Sequence, residues 1–349
     1  MNRLIKYILS VILFGYSISF AQINRGEFNK SESKENVNKL SLIRSNDSWS
    51  LYKLAPVLDS YNQMYLATKD VRYLENSVEL INQIIDLSSK SNTIRTSQFK
   101  DKYYTWVNKS HEQKKNDGKE YPLFESYLWR YVTTTLVLIK ENNLDNKFHK
   151  DYSNILNFTE VNIYNKWNNR GTSNIYRENT NMFALWAHIT LNLWILTSKI
   201  EYEKVYIDFN TKFKNNLVYN NDGTVFWNSF FDKKKWTKEG QDVSHANAEV
   251  AYFIDAFQKT KNIDASLIKG LIATLEKKII KNDFSTAMYL DGTGNSKGRI
   301  VDGFMKLGRF DQHLQNMLKK MKFYSPSQYY IKSQFIAVLL ANDNLLSEK

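Results

Sequence analysis

From Asn46 to the end of the chain, apolar residues return at helical spacing in one segment after another, with no sustained alternation between them. Ser48 to Thr68 places Leu51, Leu54, Leu58, Tyr61 and Tyr65 on one face, with Pro56 either kinking that helix or delaying its start. Leu74, Val78, Ile81 and Ile85 mark a second helix over 71–88. Further helices are expected over 122–140, 146–168, 180–199, 202–217, from 244, over 265–280 and 301–323, and from Pro326. A short β-hairpin fits Thr224 to Phe231, after the NNDG turn. Taken in pairs, the helices give about five to six hairpins. A series of helical hairpins without strands closes into an α/α toroid or stacks as an open solenoid. Irregular hairpin lengths and long intervening loops favour the toroid.

Ahead of this body, residues 1–21 read as a secretory signal, with Arg3 and Lys6 before an apolar run and a small-x-small site at Ser19-Phe20-Ala21. Residues 22–45 are polar and read as a flexible leader, and 46–349 as a single toroid domain. The apolar run is too short to span a membrane, and no later segment qualifies. The chain has no cysteine, so neither a disulfide nor a lipid anchor on cysteine is expected. A secreted or periplasmic monomer without cofactor or metal follows, since five scattered histidines offer no ligand spacing. The formal charge is +12. For an exported chain this points to an acidic glycan rather than nucleic acid or membrane insertion, although solvated lysine-rich helix faces also account for it. The 22 Tyr and 8 Trp suit a sugar cleft, in which Trp106, Trp227, Trp236 and Tyr104 would be stacking platforms; many of the rings must also be core.

Three loop-to-helix junctions carry the polar groups that could do chemistry. The first holds Tyr176, Arg177, Glu178, Asn179 and Asn181; the second Asp242, Ser244, His245 and Asn247; the third Arg299 and Asp302. They enter the fifth, seventh and ninth helices, and alternate helices of a toroid share an end, so all three junctions are expected at one mouth. Each also has a plainer reading. Asn179, Asn181, Asp242 and Ser244 are helix caps by type, and Arg299 is an ordinary loop cation. His188, between Trp186 and Trp194, reads as a satisfied core histidine.

These junctions resemble those of the α/α-toroid polysaccharide lyases, the class of alginate and glucuronan lyases. The likeness rests on Asn179 or Asn181, on His245 in SHAN, on the Arg299 loop and on the DGFMKLGRFD run. It implies β-elimination on a uronate polysaccharide, with Asn181, His245 and Arg299 around the carboxylate and a tyrosine moving protons. The tyrosine has no single counterpart. Phe304 and Phe310 stand in the terminal run, which leaves Tyr289 and Tyr176. Arg177, Asn179, Asp242 and Asn247 would complete the substrate contacts. The residue types suit that chemistry, because an enolate forming on a carboxylate is stabilised by preorganised donors. Two other classes fit the same residues: a toroid glycoside hydrolase using Glu178 and Asp242 as its carboxylates, and a secreted glycan-binding protein without turnover.

Overall fold

A helix inside a ring of helices is touched on every side, whereas one on the outside is touched along a stripe. The chain alternates between these two kinds. In the computed structural model, residues 25–36, 38–109, 117–294, 298–323 and 331–349 are described; the expected signal at 1–21 and the helix start at Pro326 lie outside them. Helix α1 (Ser48–Thr68) is buried almost all round, and its neighbour α2 (Arg72–Asp86) buries one stripe through Leu74, Val78 and Ile81. The pattern repeats in α3 (Pro122–Glu141) and α4 (His149–Phe158), the latter continued by a π-helical stretch Thr159–Asn165 and by Lys166–Asn169. It repeats again in α5 (Thr180–Thr197) with α6 (Ile200–Lys214), and in α7 (Val243–Lys259) with α8 (Ala265–Thr274). Two helices follow, α9 (Gln312–Lys320) and α10 (Lys332–Ser347).

The inner helices meet in sequence: α1 on α3, α3 on α5, α5 on α7, and α10 back on α1. Between α7 and α10 the ring is completed by a 3-10 turn, Phe304–Arg309, which touches both. The fold is an all-α toroid with two two-stranded sheets. One sheet, Val218–Tyr219 with Val225–Phe226, is a hairpin closing across the NNDG turn, earlier in the chain than the expected 224–231.

Several expectations are corrected. Residues 25–36 and 38–44 are helical rather than a loose leader. Their composition is polar, but Phe28 and Ile43 are buried, Arg25 pairs with Asp70 at 2.7 Å, and Glu35 accepts from the first amides of α10. This segment is the outer partner of α1 and brings the hairpins to six. Residues 301–323 are not one helix. The backbone is 3-10 to Arg309, Asp311 then caps α9 by accepting from Leu314 N, and the chain passes from the inner ring to the outer one. Gly308 permits that crossing, because a β-carbon there would meet the side chains of Gln315 and Asn342. Pro56 does not delay α1, which runs through it from its Asp47 cap.

The long segment between α2 and α3, expected as an aromatic binding loop, is fastened down. Ser89–Lys90 pairs with Tyr104–Thr105. Arg170 reaches into the segment with bonds to Asp101, Glu120 and Ser91, and its guanidinium lies 3.9 Å from the Phe99 ring centroid. Below it, Lys166 and Glu125 form a fully buried pair at 2.8 Å, and Trp167 and Thr105 donate to the same carboxylate.

Candidate active site

The N-terminal ends of α5, α7 and the 304–309 turn come together at one mouth, as the alternation of helices requires. The strand around Val225–Phe226 and its continuation tie the first two. Thr180 N donates to Ser229 O, Asn179 bridges Phe230, and Gln241 N donates to Trp227 O. The third junction is held to α7 by Asn247, which is buried. Its Oδ1 accepts from Gly303 N and Phe304 N, and its Nδ2 donates to the carbonyl of Arg299. Gly303 lies so close beneath this strut that a β-carbon would strike the Asn247 backbone. Asn247 is therefore a fastening and not a substrate contact, which corrects its expected role.

Asp242 is the N-cap of α7, in place of the expected Ser244; its Oδ1 accepts from His245 N at 3.1 Å. The other carboxylate oxygen lies 2.7 Å from His245 Nδ1. The cap thus fixes the backbone turn and the imidazole together. The His245 side chain is 59% exposed and Asp242 is half-buried, so Nδ1 is held inward. The hydrogen bond to Asp242 raises the imidazole above its ordinary range. Burial works against ionisation of Asp242, but the bonds from His245 outweigh it and hold the carboxyl below its usual range. The dyad is an ionised acid orienting an imidazole that takes a proton readily.

One turn deeper on the same face, Glu249 is fully buried, and burial pushes its carboxyl up to about 7. Thr180 and Trp227 are its nearest polar neighbours, but neither carboxyl oxygen has a partner at hydrogen-bond distance. It cannot reach substrate. Sequence reasoning passed over Glu249, although its spacing of four from His245 and seven from Asp242 marks a single helix face.

Across the mouth, Asp302 is bonded by Arg130 and Tyr131 of α3, and Tyr127 donates to it at 3.3 Å. Tyr127 stacks on Tyr52 of α1 at 3.9 Å, and Tyr52 stacks on Trp49 at 5.0 Å. The Arg130 guanidinium lies over the Tyr127 ring at 4.4 Å, and Phe124 meets Trp49 edge-on at 4.9 Å. These rings were not expected from the sequence, because they sit in inner helices whose periodicity marks them as core. The rings pack on one another, and the Tyr127 hydroxyl is taken up by Asp302.

The expected platforms differ in exposure. Trp106 is 2% exposed, packed on Trp129 and Phe158, and Trp227 is fully buried against Phe213. Trp236 is half-buried, bonded to Phe230 O, with Lys233 over its ring. Tyr104 is exposed on the small sheet beside Lys90. Asn179, Asn181 and Arg177 are half-buried at the entrance to α5, and Asn179 makes no side-chain cap bond. Arg299 enters through its backbone, with N donating to Ser244 Oγ. Tyr289 meets Asp242 as a backbone bridge, and Tyr176 packs on Phe183, its phenol pushed up by burial and so harder to ionise. Glu178 is exposed and paired with Lys235 at 2.6 Å, while the strand through Ser229 and Phe230 runs between it and Asp242. Among the described residues no group of three His, Asp or Glu could hold a metal, and no helix is long and apolar enough to cross a membrane.

No family model matches the chain, and no curated protein matches it. In structure it is similar to the GH76A α-1,6-mannanase of Salegentibacter sp. HEL1_6, with TM-score 0.49 and 12% identity over 85% of this chain and 89% of that one. It is likewise similar to an inactive variant of that enzyme, with two consecutive aspartates replaced by alanine, in complex with α-1,6-mannotetrose: TM-score 0.49, 13% identity, 84% of this chain and 88% of that one. Both are hydrolases and neither is a lyase; the expectation of a lyase acting on uronic acid is withdrawn. This chain nowhere carries two consecutive aspartates.

Proposed function

We propose that the chain is an exported carbohydrate-active hydrolase, binding a glycan at the N-terminal mouth of the inner ring and cleaving it with the Asp242–His245 dyad. The observation that carries this reading is the 2.7 Å bond from Asp242 to Nδ1 of an imidazole that reaches solvent at that mouth. A protonated His245 gives its Nε2 proton to the leaving glycosidic oxygen as the carbon–oxygen bond breaks. Asp242 stabilises the imidazolium beforehand and keeps the ring oriented. Water adds to the sugar carbon, and its proton returns to the neutral imidazole. Export rests on residues 1–21.

The test is incubation with neutral and acidic polysaccharides, α-1,6-mannan among the neutral ones, reading reducing ends and ultraviolet-absorbing unsaturated ends together. New reducing ends without the absorbance, lost in His245→Ala, are expected. Saturable glycan binding with no new ends from the wild type would make the protein a binder and overturn the hydrolytic reading.

A further inference from the structure

At the opposite end of the ring, a second cavity of about 200 Å³ opens between the C-terminal halves of the inner helices, and all six inner elements line it. Its floor carries three polar pairs: Lys306 with Asp59 at 2.9 Å, His188 with Asp255 at 2.7 Å, and Arg309 with Gln63 at 2.8 Å. At the rim Lys259 faces Glu141 at 4.0 Å, with Leu345 beside them.

Three features fix what such a space can hold. The first is charge. Lys306, Arg309 and Lys259 balance Asp59, Asp255 and Glu141, and His188 is held neutral by burial, so the lining sums to zero. An ion entering would lose hydration without a surplus counter-charge to replace it. The second is hydrogen bonding. Cationic donors and carboxylate acceptors line the space together, while Leu66, Leu138 and Leu345 give it apolar ground. That mixture matches a ring with hydroxyls on its edge and C–H groups on its faces. The third is size. The cavity, at about 200 Å³, falls below the roughly 300–1,000 Å³ of pockets for larger ligands. One sugar unit fits; a chain does not.

We infer that this cavity is a second binding site, for a single neutral monosaccharide or cyclic polyol, separate from the mouth that carries the Asp242–His245 dyad. It does not depend on the hydrolytic reading.

The test is calorimetric titration of the full chain with D-mannose, D-glucose and myo-inositol, and with inorganic phosphate as the charged comparison. At least one neutral probe is expected to bind saturably, with phosphate silent. Leu345→Trp, a half-buried rim position, should weaken that binding at least tenfold without lowering the melting temperature, and Gln258→Ala on the exposed rim should weaken it less. His245→Ala should leave it unchanged. No saturable binding by any neutral probe, binding of phosphate instead, binding untouched by Leu345→Trp, or loss of binding in His245→Ala would each overturn the proposal. Loss in His245→Ala would place the sugar at the first mouth.

Discussion

Asp242 and His245 stabilise the charged form of each other, and the signs of their shifts define where the pair holds. The Asp242 carboxyl is held low, so its contribution is present above the ordinary carboxylate range near 3.9 and is lost as pH falls through its folded value. His245 is raised, so its contribution is full below the ordinary 6.5 and fades as pH rises through its folded value. The pair is strongest between those limits. Trp106 has a different fate from the one its loop position suggested. Because it is buried on Trp129 and Phe158, Trp106→Ala should cost about 3–5 kcal/mol. Urea denaturation measures this, and a loss under about 1 kcal/mol would show that the ring is not core. A tryptophan in an aperiodic segment reads from sequence as exposed. What sequence lacks here is Arg170, sixty and more residues away, which pins the segment down.

Among the elements, the inner helices were legible and the inner turn was not. Runs such as Phe183 to Leu193 are apolar on every face, as a helix touched on all sides must be. The 304–309 turn is buried throughout too, but it changes ring at Arg309, and periodicity counts residues without seeing that crossing. The leader was misread for the converse reason: two buried side chains, Phe28 and Ile43, are too few to show as a period. The mouth was legible as three junctions because alternation alone places them. The partners within it were not, since Asp302 answers to α3 and Asn247 to a loop more than fifty residues away. Asn247→Ala should release that loop. Two buried amides, Gly303 N and Phe304 N, would lose their acceptor, at about 1–3 kcal/mol. Hydrogen exchange should then rise across 299–304 and not in α2. Unchanged protection there would show that Asn247 does not hold the loop.

For the molecule as a whole, the ring closes through polar contacts where its helix is shortest. Lys306 and Gln334 both bond Asp59 of α1, from the 304–309 turn and from α10. Lys306→Met would leave that carboxylate buried with one partner fewer, a loss of about 3–5 kcal/mol, read as a lowered denaturation midpoint; a change within 0.5 kcal/mol, roughly the scatter of surface substitutions, would mean closure does not rely on it. The same closed ring holds the dyad at one end, and the dyad is where the functional account stands or falls. The most direct measurement is the pH dependence of reducing-end release by the wild type and by Asp242→Asn, on the glycan the panel identifies. A proton donor with a raised pKa keeps the wild type active to a pH above the ordinary imidazole range. Removing its carboxylate partner should move the alkaline limb to lower pH while the protein remains folded. Identical alkaline limbs in the two proteins would contradict the assignment of His245 as the proton donor.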